Sequence, residues 1–138
     1  MPTIKHDHYT IERSNNVLIV DAKGPFNEDT AKSYHADITQ LVEKMSGDPW
    51  GSLVVFRGST VFTPEAERQL IETTRYRQKK GMIAIAIVMM NSTCAEIKQM
   101  QLQRIYGDCC ITFHVFSDTD SAKAWLDHYI QEANEGSK

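Results

Sequence analysis

The sequence predicts an α/β domain: a mostly parallel five-stranded sheet whose first strand is antiparallel at an edge, flanked by four helices. Three observations lead there. Met82 to Met90 is an unbroken run of nine apolar residues, bounded by Gly81 and by Asn91-Ser92. It is far short of the ~20 residues that span a bilayer and suits a central strand buried on both faces. Apolar runs of strand length alternate with segments of helical period in the order β-β-α-β-α-β-α-β-α, and helices between strands imply right-handed parallel crossovers. The closing segment places Ala122, Trp125, Leu126, Tyr129, Ile130 and Ala133 at i, i+3, i+4, i+7, i+8 and i+11, one face of an amphipathic helix.

The elements follow in order. Residues 1–8 read as a loose tail. Tyr9 to Arg13 alternates weakly, Ser14-Asn15-Asn16 is a turn signal, and Val17 to Val20 returns as the second strand of a hairpin. Asn27 or Asp29 caps a helix carrying Ala31, Tyr34, Ile38, Leu41, Val42 and Met45, and Gly47-Asp48-Pro49 ends it. Ser52 to Phe56 is a buried strand. Thr63 with Pro64 and Glu65 starts a mostly polar helix that closes on Arg75, Arg77, Lys79 and Lys80. In the central run, Ile83, Ile85, Ile87 and Met89 point to one face and Ala84, Ala86 and Val88 to the other. Asn91-Ser92-Thr93 caps a helix over about 93–106 with Ile97, Met100, Leu102 and Ile105 as its apolar pattern, and Gly107-Asp108 breaks it. Ile111 to Phe116 is the last strand, and Ser117-Asp118 caps the closing helix. The folded domain is expected over 9–133, with 1–8 and 134–138 loose.

Composition narrows the function classes. The chain has 138 residues, 41% hydrophobic and 24% charged, with a net charge of −3. That is ordinary for one globular domain with a real core, and it offers no global basic field for nucleic acid or an anionic membrane. The opening Met-Pro-Thr-Ile-Lys-His lacks an apolar signal core, which reads as cytoplasmic. Cys94, Cys109 and Cys110 lack framework spacing and read as free thiols. No zinc, phosphate-loop, dinucleotide or nucleophile-elbow motif is present, so no metal, cofactor or catalytic residue is expected.

The opening hairpin, the run Met82–Met90, and the ending His114-Val115-Phe116-Ser117-Asp118 followed by Ala122-Lys123-Ala124-Trp125-Leu126 together resemble the STAS-like (SpoIIAA-like) family of anti-sigma-factor antagonists, which is related in shape to the CRAL-TRIO lipid-binding domains. The resemblance covers about residues 9–133. It implies a βα superhelix with strands in sequential order and no known chemistry. Phospho-switched antagonists carry an Asp-Ser-Ser/Thr-Gly motif before the second helix. Here the loop reads Arg57-Gly58-Ser59-Thr60-Val61-Phe62-Thr63, which keeps the hydroxyls but lacks the acidic residue and the following glycine. Ser59 and Thr60 are the phospho-acceptors that the resemblance would imply.

Open α/β sheets bind ligands at the carboxyl ends of their strands. Two loops fall there: one holding Gly24 and Phe26, the other Arg57, Gly58, Ser59, Thr60, Val61 and Phe62. Phe26, Val61 and Phe62 read either as an exposed apolar rim around a pocket mouth or as side chains folded over the core ends. Arg57 reads as an anion ligand or as the partner of a nearby glutamate. Arg68, Arg75, Arg77, Lys79 and Lys80 read as a basic cluster facing solvent, an acidic partner or lipid head groups. Strands that are apolar on both faces need two covers, supplied by helices on both sides, by a second subunit or by an apolar ligand, and the sequence favours a homodimer or a ligand cavity. The functional expectation is a non-enzymatic binding module for an apolar or lipid-like small molecule or a protein partner, with no nucleic acid and no membrane span. The alternative is a phospho-regulated signalling protein of the antagonist type.

Overall fold

The computed structural model describes residues 3–23, 26–45, 47–58, 62–90 and 95–136. Six strands and four helices follow one another: β1 (Thr3–Lys5), β2 (Tyr9–Ser14), β3 (Val17–Ala22), α1 (Glu28–Val42), β4 (Trp50–Arg57), α2 (Pro64–Lys79), β5 (Met82–Met90), α3 (Ala95–Asp108), β6 (Thr112–Phe116) and α4 (Thr119–Gly136), with a 3-10 turn over Glu43–Met45. The strands lie in the sheet in chain order. β1 pairs antiparallel with β2 and β2 with β3, while β3 to β6 are parallel. The expected five-stranded sheet therefore gains a sixth strand. Thr3–Lys5 carries one apolar residue, too little pattern to read as a strand, yet Ile4 packs against the core and His6 N–H donates to the Tyr9 carbonyl at 2.8 Å to close the turn.

Local chemistry sets the element boundaries. Asn15 takes up the left-handed backbone, φ 54°, which asparagine tolerates, so Ser14 pairs directly with Val17. Asn27 Oδ1 accepts from Thr30 N–H at 2.9 Å, and Thr63 Oγ1 accepts from Ala66 N–H at 3.2 Å. Asp118 accepts from Ser121 N–H at 2.7 Å and from its hydroxyl at 2.9 Å, bonds that hold the Asp118 carboxyl below the usual aspartate range. The Gly107 break is displaced: α3 runs on to Asp108 and turns at Cys110, whose φ is 55°.

The two faces of the sheet are covered unequally. Each β–α–β connection is right-handed, so α1, α2 and α3 share one face. There Leu18, Val20, Val54, Phe56, Ile85 and Ile87 meet Tyr34, Ile38, Leu102 and Ile105. No strand follows α4, so the crossover rule does not bind it, and it lies on the opposite face. Ala122, Leu126 and Ile130 pack there on Leu53, Val55, Ala84, Ala86 and Val88. Helices on both sides are thus a cover for both apolar faces of the sheet. Ile83 departs from the expected alternation. A register shift between Trp50 and Gly51 leaves Ile83 without a partner on β4, and it turns to the α4 side beside Ala84, as a bulged residue does.

The approach of α4 depends on small residues beneath it. A Cβ on Gly51 would stand 2.6 Å from Leu126 Cδ1 and 3.1 Å from the Ala84 carbonyl oxygen. Gly51→Val is therefore expected to lift α4 and to cost about 1–3 kcal/mol, the usual penalty of overpacking. The check is urea unfolding followed by tryptophan fluorescence, and an unchanged midpoint would contradict the close contact.

Candidate functional site

The predicted rim residues do not stand out in solvent. Phe26 and Phe62 are 3% and 4% exposed, and the two segments form an isolated parallel bridge, with Thr63 N–H donating to the Phe26 carbonyl at 3.3 Å. Their rings meet edge-on at 5.7 Å, and Phe62 meets Phe56 at the same distance. Tyr34 sits edge-on to Phe26 at 6.2 Å and to Tyr9 at 5.4 Å. Of the two readings of Phe26 and Phe62, the second holds: they fold over the core end, where an aromatic layer closes the carboxyl end of the core because these rings bury large apolar area against one another. Gly24, Ser59, Thr60 and Val61 lie outside the described residues. Arg57 is exposed and donates from Nε to Asp21 Oδ1 at 2.8 Å and Oδ2 at 3.0 Å, so its partner is an aspartate on β3, not a glutamate. Gly58 takes φ 65°, and its carbonyl accepts from Lys98 Nζ at 3.1 Å.

Under this aromatic layer, between the sheet and the three helices, lies a narrow cavity of about 20 Å³. Val20, Ala22, Val54 and Phe56 form its floor, Leu102, Ile105 and Tyr106 its roof, and Thr74 and Arg77 one end. That volume holds one water-sized molecule. Its roof is the part of α3 that packs beside α2 over the sheet.

Arg77 is the unexpected feature. It is 1% exposed. Nη1 donates to Ser52 Oγ at 3.1 Å and Nη2 to Thr74 Oγ1 at 3.3 Å, while Nε has no hydrogen-bond partner. Both hydroxyls point their own protons elsewhere, Ser52 to Met82 Sδ and Thr74 to the Leu70 carbonyl, so each offers Arg77 a lone pair. No carboxylate is paired with it among the described residues. Burying a charge without a counter-ion is costly, and a guanidinium cannot escape by losing its proton. Its place in the last turn of α2 puts it at the negative end of the helix dipole, a partial compensation.

The expected basic cluster is thereby dispersed. Arg75 pairs with Asp108 at 2.6 Å, Arg68 with Glu65 at 3.9 Å, and Lys80 lies over the Tyr76 ring. The helical phase shows why Arg77 turns inward: Ala66, Leu70, Thr73, Thr74 and Arg77 fall at i, i+4, i+7, i+8 and i+11 and are the buried residues of α2. α3 is rotated in a similar way from its expected phase. Ile97 and Met100 are 53% and 59% exposed, while Lys98 and Gln101 are buried with Leu102 and Ile105. Those two polar side chains hold main chain near the aromatic layer. Lys98 bonds the Gly58 carbonyl and lies 5.7 Å from the Phe56 ring centre. The Gln101 amide accepts from Phe62 N–H at 3.0 Å and donates to Phe62 C=O at 2.8 Å.

A larger groove of about 510 Å³ runs between α4 and the β2–β3 hairpin, but no buried polar group converges on it. Cys109 and Cys110 are free. Among the described residues no three His, Cys, Asp or Glu side chains gather to hold a metal, and no helix is long and apolar enough to cross a membrane.

Two outcomes follow from this geometry. Arg77→Met is expected to hold or raise stability, by up to about 1–4 kcal/mol, because it removes a buried charge and leaves the Ser52 and Thr74 protons bonded. Urea unfolding checks this, and a loss above ~2 kcal/mol would make Arg77 a structural strut. The second outcome concerns alkaline pH. Burial pushes the Tyr106 phenol up to about 12, although the nearby Arg77 draws it back; Tyr9 and Tyr34 are also raised, chiefly by burial. The folded chain keeps protons that the unfolded chain releases near pH 10, so stability is full below pH 10 and falls between about 10 and 12. Tyrosinate absorbance followed with circular dichroism tests this: these phenols should ionise together with unfolding, not before it.

Comparison with known proteins finds no family model, no curated protein and no solved structure that matches this chain.

Proposed function

We propose that the protein is a non-enzymatic binding module of STAS-like type, taking up a small apolar molecule between the sheet and the α1–α3 layer, through the aromatic layer of Phe26 and Phe62. The observation that carries this reading is the cavity itself. It lies directly behind the bridge that joins the two loops singled out by the sequence, at the carboxyl end of β3 and β4 where open α/β sheets take ligands. The family likeness rests on the opening hairpin, the sequential order and the closing helix.

At about 20 Å³ the cavity is narrowed to a water-sized space, so uptake requires Phe62 and Leu102 to move outward. α3 is suited to this movement. Its hold on the Phe62 main chain is one glutamine amide.

The test uses the neutral fluorophore N-phenyl-1-naphthylamine. Its emission should rise saturably with the wild-type chain and be competed by 1-decanol. Val54→Phe, which fills the cavity floor, should abolish the signal while circular dichroism shows the fold intact; Leu102→Phe serves if that variant does not fold. Emission that is unaffected in a folded, filled variant would place binding elsewhere and overturn the reading.

A further inference from the structure

We infer that the molecule taken up carries a carboxylate, and that Arg77 is its anchor at the inner end of the cavity; this rests on the binding reading above and names the ligand class. The case begins with the buried guanidinium. Its side-chain partners are neutral hydroxyls, Ser52 at 3.1 Å, Thr74 at 3.3 Å and the phenol of Tyr106, and its Nε donor is unsatisfied. A guanidinium edge matches a carboxylate with two parallel N–H bonds, the strongest neutralising contact available to it. Arg77 lines the cavity beside Thr74, Tyr34 and Tyr106, and the rest of the wall is apolar, Val54, Phe56 and Leu102 among it. One cation in a mostly apolar wall, opened as described above, fits an aliphatic chain with one terminal negative charge.

The geometry also sets the ligand's direction. Arg77 is tied to Ser52, near the start of β4, whereas the aromatic closure contacts Phe56, four residues further along that strand. At the usual rise per residue that separation is ~13 Å. The carboxylate would therefore lie innermost, with the aliphatic chain running along β4 towards Phe62. A second buried cation, Lys98, lies at the other end, bonded to the Gly58 carbonyl. It is not part of the cavity wall, so the innermost charge is single, which favours a monoanionic carboxylate over a dianionic phosphate.

The experiment compares ligands of equal chain length by competition with N-phenyl-1-naphthylamine: decanoate, 1-decanol and decyl phosphate, each below its micelle concentration. They are measured against wild type, Arg77→Met and Arg77→Lys. Wild type should prefer decanoate over decanol by about tenfold or more, as a charge-assisted pair implies. Arg77→Met should bring the two within about twofold, chiefly by weakening decanoate, and Arg77→Lys should restore part of the preference. Equal binding of acid and alcohol by wild type, or a preference that survives in Arg77→Met, would overturn the anchor and leave apolar binding standing. Preference for decyl phosphate would overturn the carboxylate assignment. Failure of decanol and decanoate alike would sink the binding reading and this inference with it.

Discussion

The structure depends on burying β4 and β5 on both faces. Neither strand offers a polar face: β4 is buried from Trp50 to Phe56, and Ala84 to Val88 on β5 are all fully covered. Such a pair must sit in the middle of the sheet with a helical layer on each side. Crossover handedness commits α1, α2 and α3 to one side, so the chain has only α4 left for the other. One helix suffices because Gly51, Ala84 and Ala86 let Leu126 and Ile130 come down onto the backbone. The part of that face which α4 does not reach needs no cover, since Thr10, Glu12 and Asp21 on β2 and β3 are polar.

The same constraint shapes the opposite layer differently. The large side chains of the sheet point there, and three helices must share the space above them. α3 packs beside α2. Close-packed interiors leave few voids, and one lies under α3, lined at its outer end by the rings of Phe26, Phe56 and Phe62. Its position at the carboxyl end follows from where the aromatic residues stand in β4 and beside Phe26 and Phe62.

Much of this was legible in the sequence, for reasons that can be stated residue by residue. The hairpin followed from the turn at Ser14 to Asn16, the helix starts at Asn27, Thr63 and Asp118 from their side-chain oxygens, and the central strand from nine apolar residues in a row. What failed were inferences that assigned a residue type to a surface by its character alone. Ile97 and Met100 were expected inside and lie out, whereas Lys98 and Gln101 do the reverse, because the loop end at Gly58 and Phe62 presents main-chain groups that only polar side chains can satisfy. Phe26 and Phe62 could be read either as an exposed rim or as folded over the core ends, and ring-on-ring contact decides for the second. Arg77 was grouped with its charged neighbours in sequence when its phase with Ala66, Leu70 and Thr74 placed it on the buried stripe.

That stripe bears on why Arg77 is there at all. A side chain needed only to fill space between α2 and β4 would serve better as leucine or methionine, since an unpaired buried cation lowers stability. A lysine could release its proton and become neutral in the same place, whereas arginine keeps its charge at any physiological pH. A strut built around arginine would normally bring an aspartate or glutamate to it, and the positions facing Arg77 could carry one. They carry Ser52, Thr74 and Tyr106, hydroxyls that accept a hydrogen bond without neutralising the cation. The interior is therefore held in a state that is hydrogen-bonded enough to fold and still electrostatically incomplete. Such an arrangement costs stability, and an anion that bound beside Arg77 would return part of it through linkage.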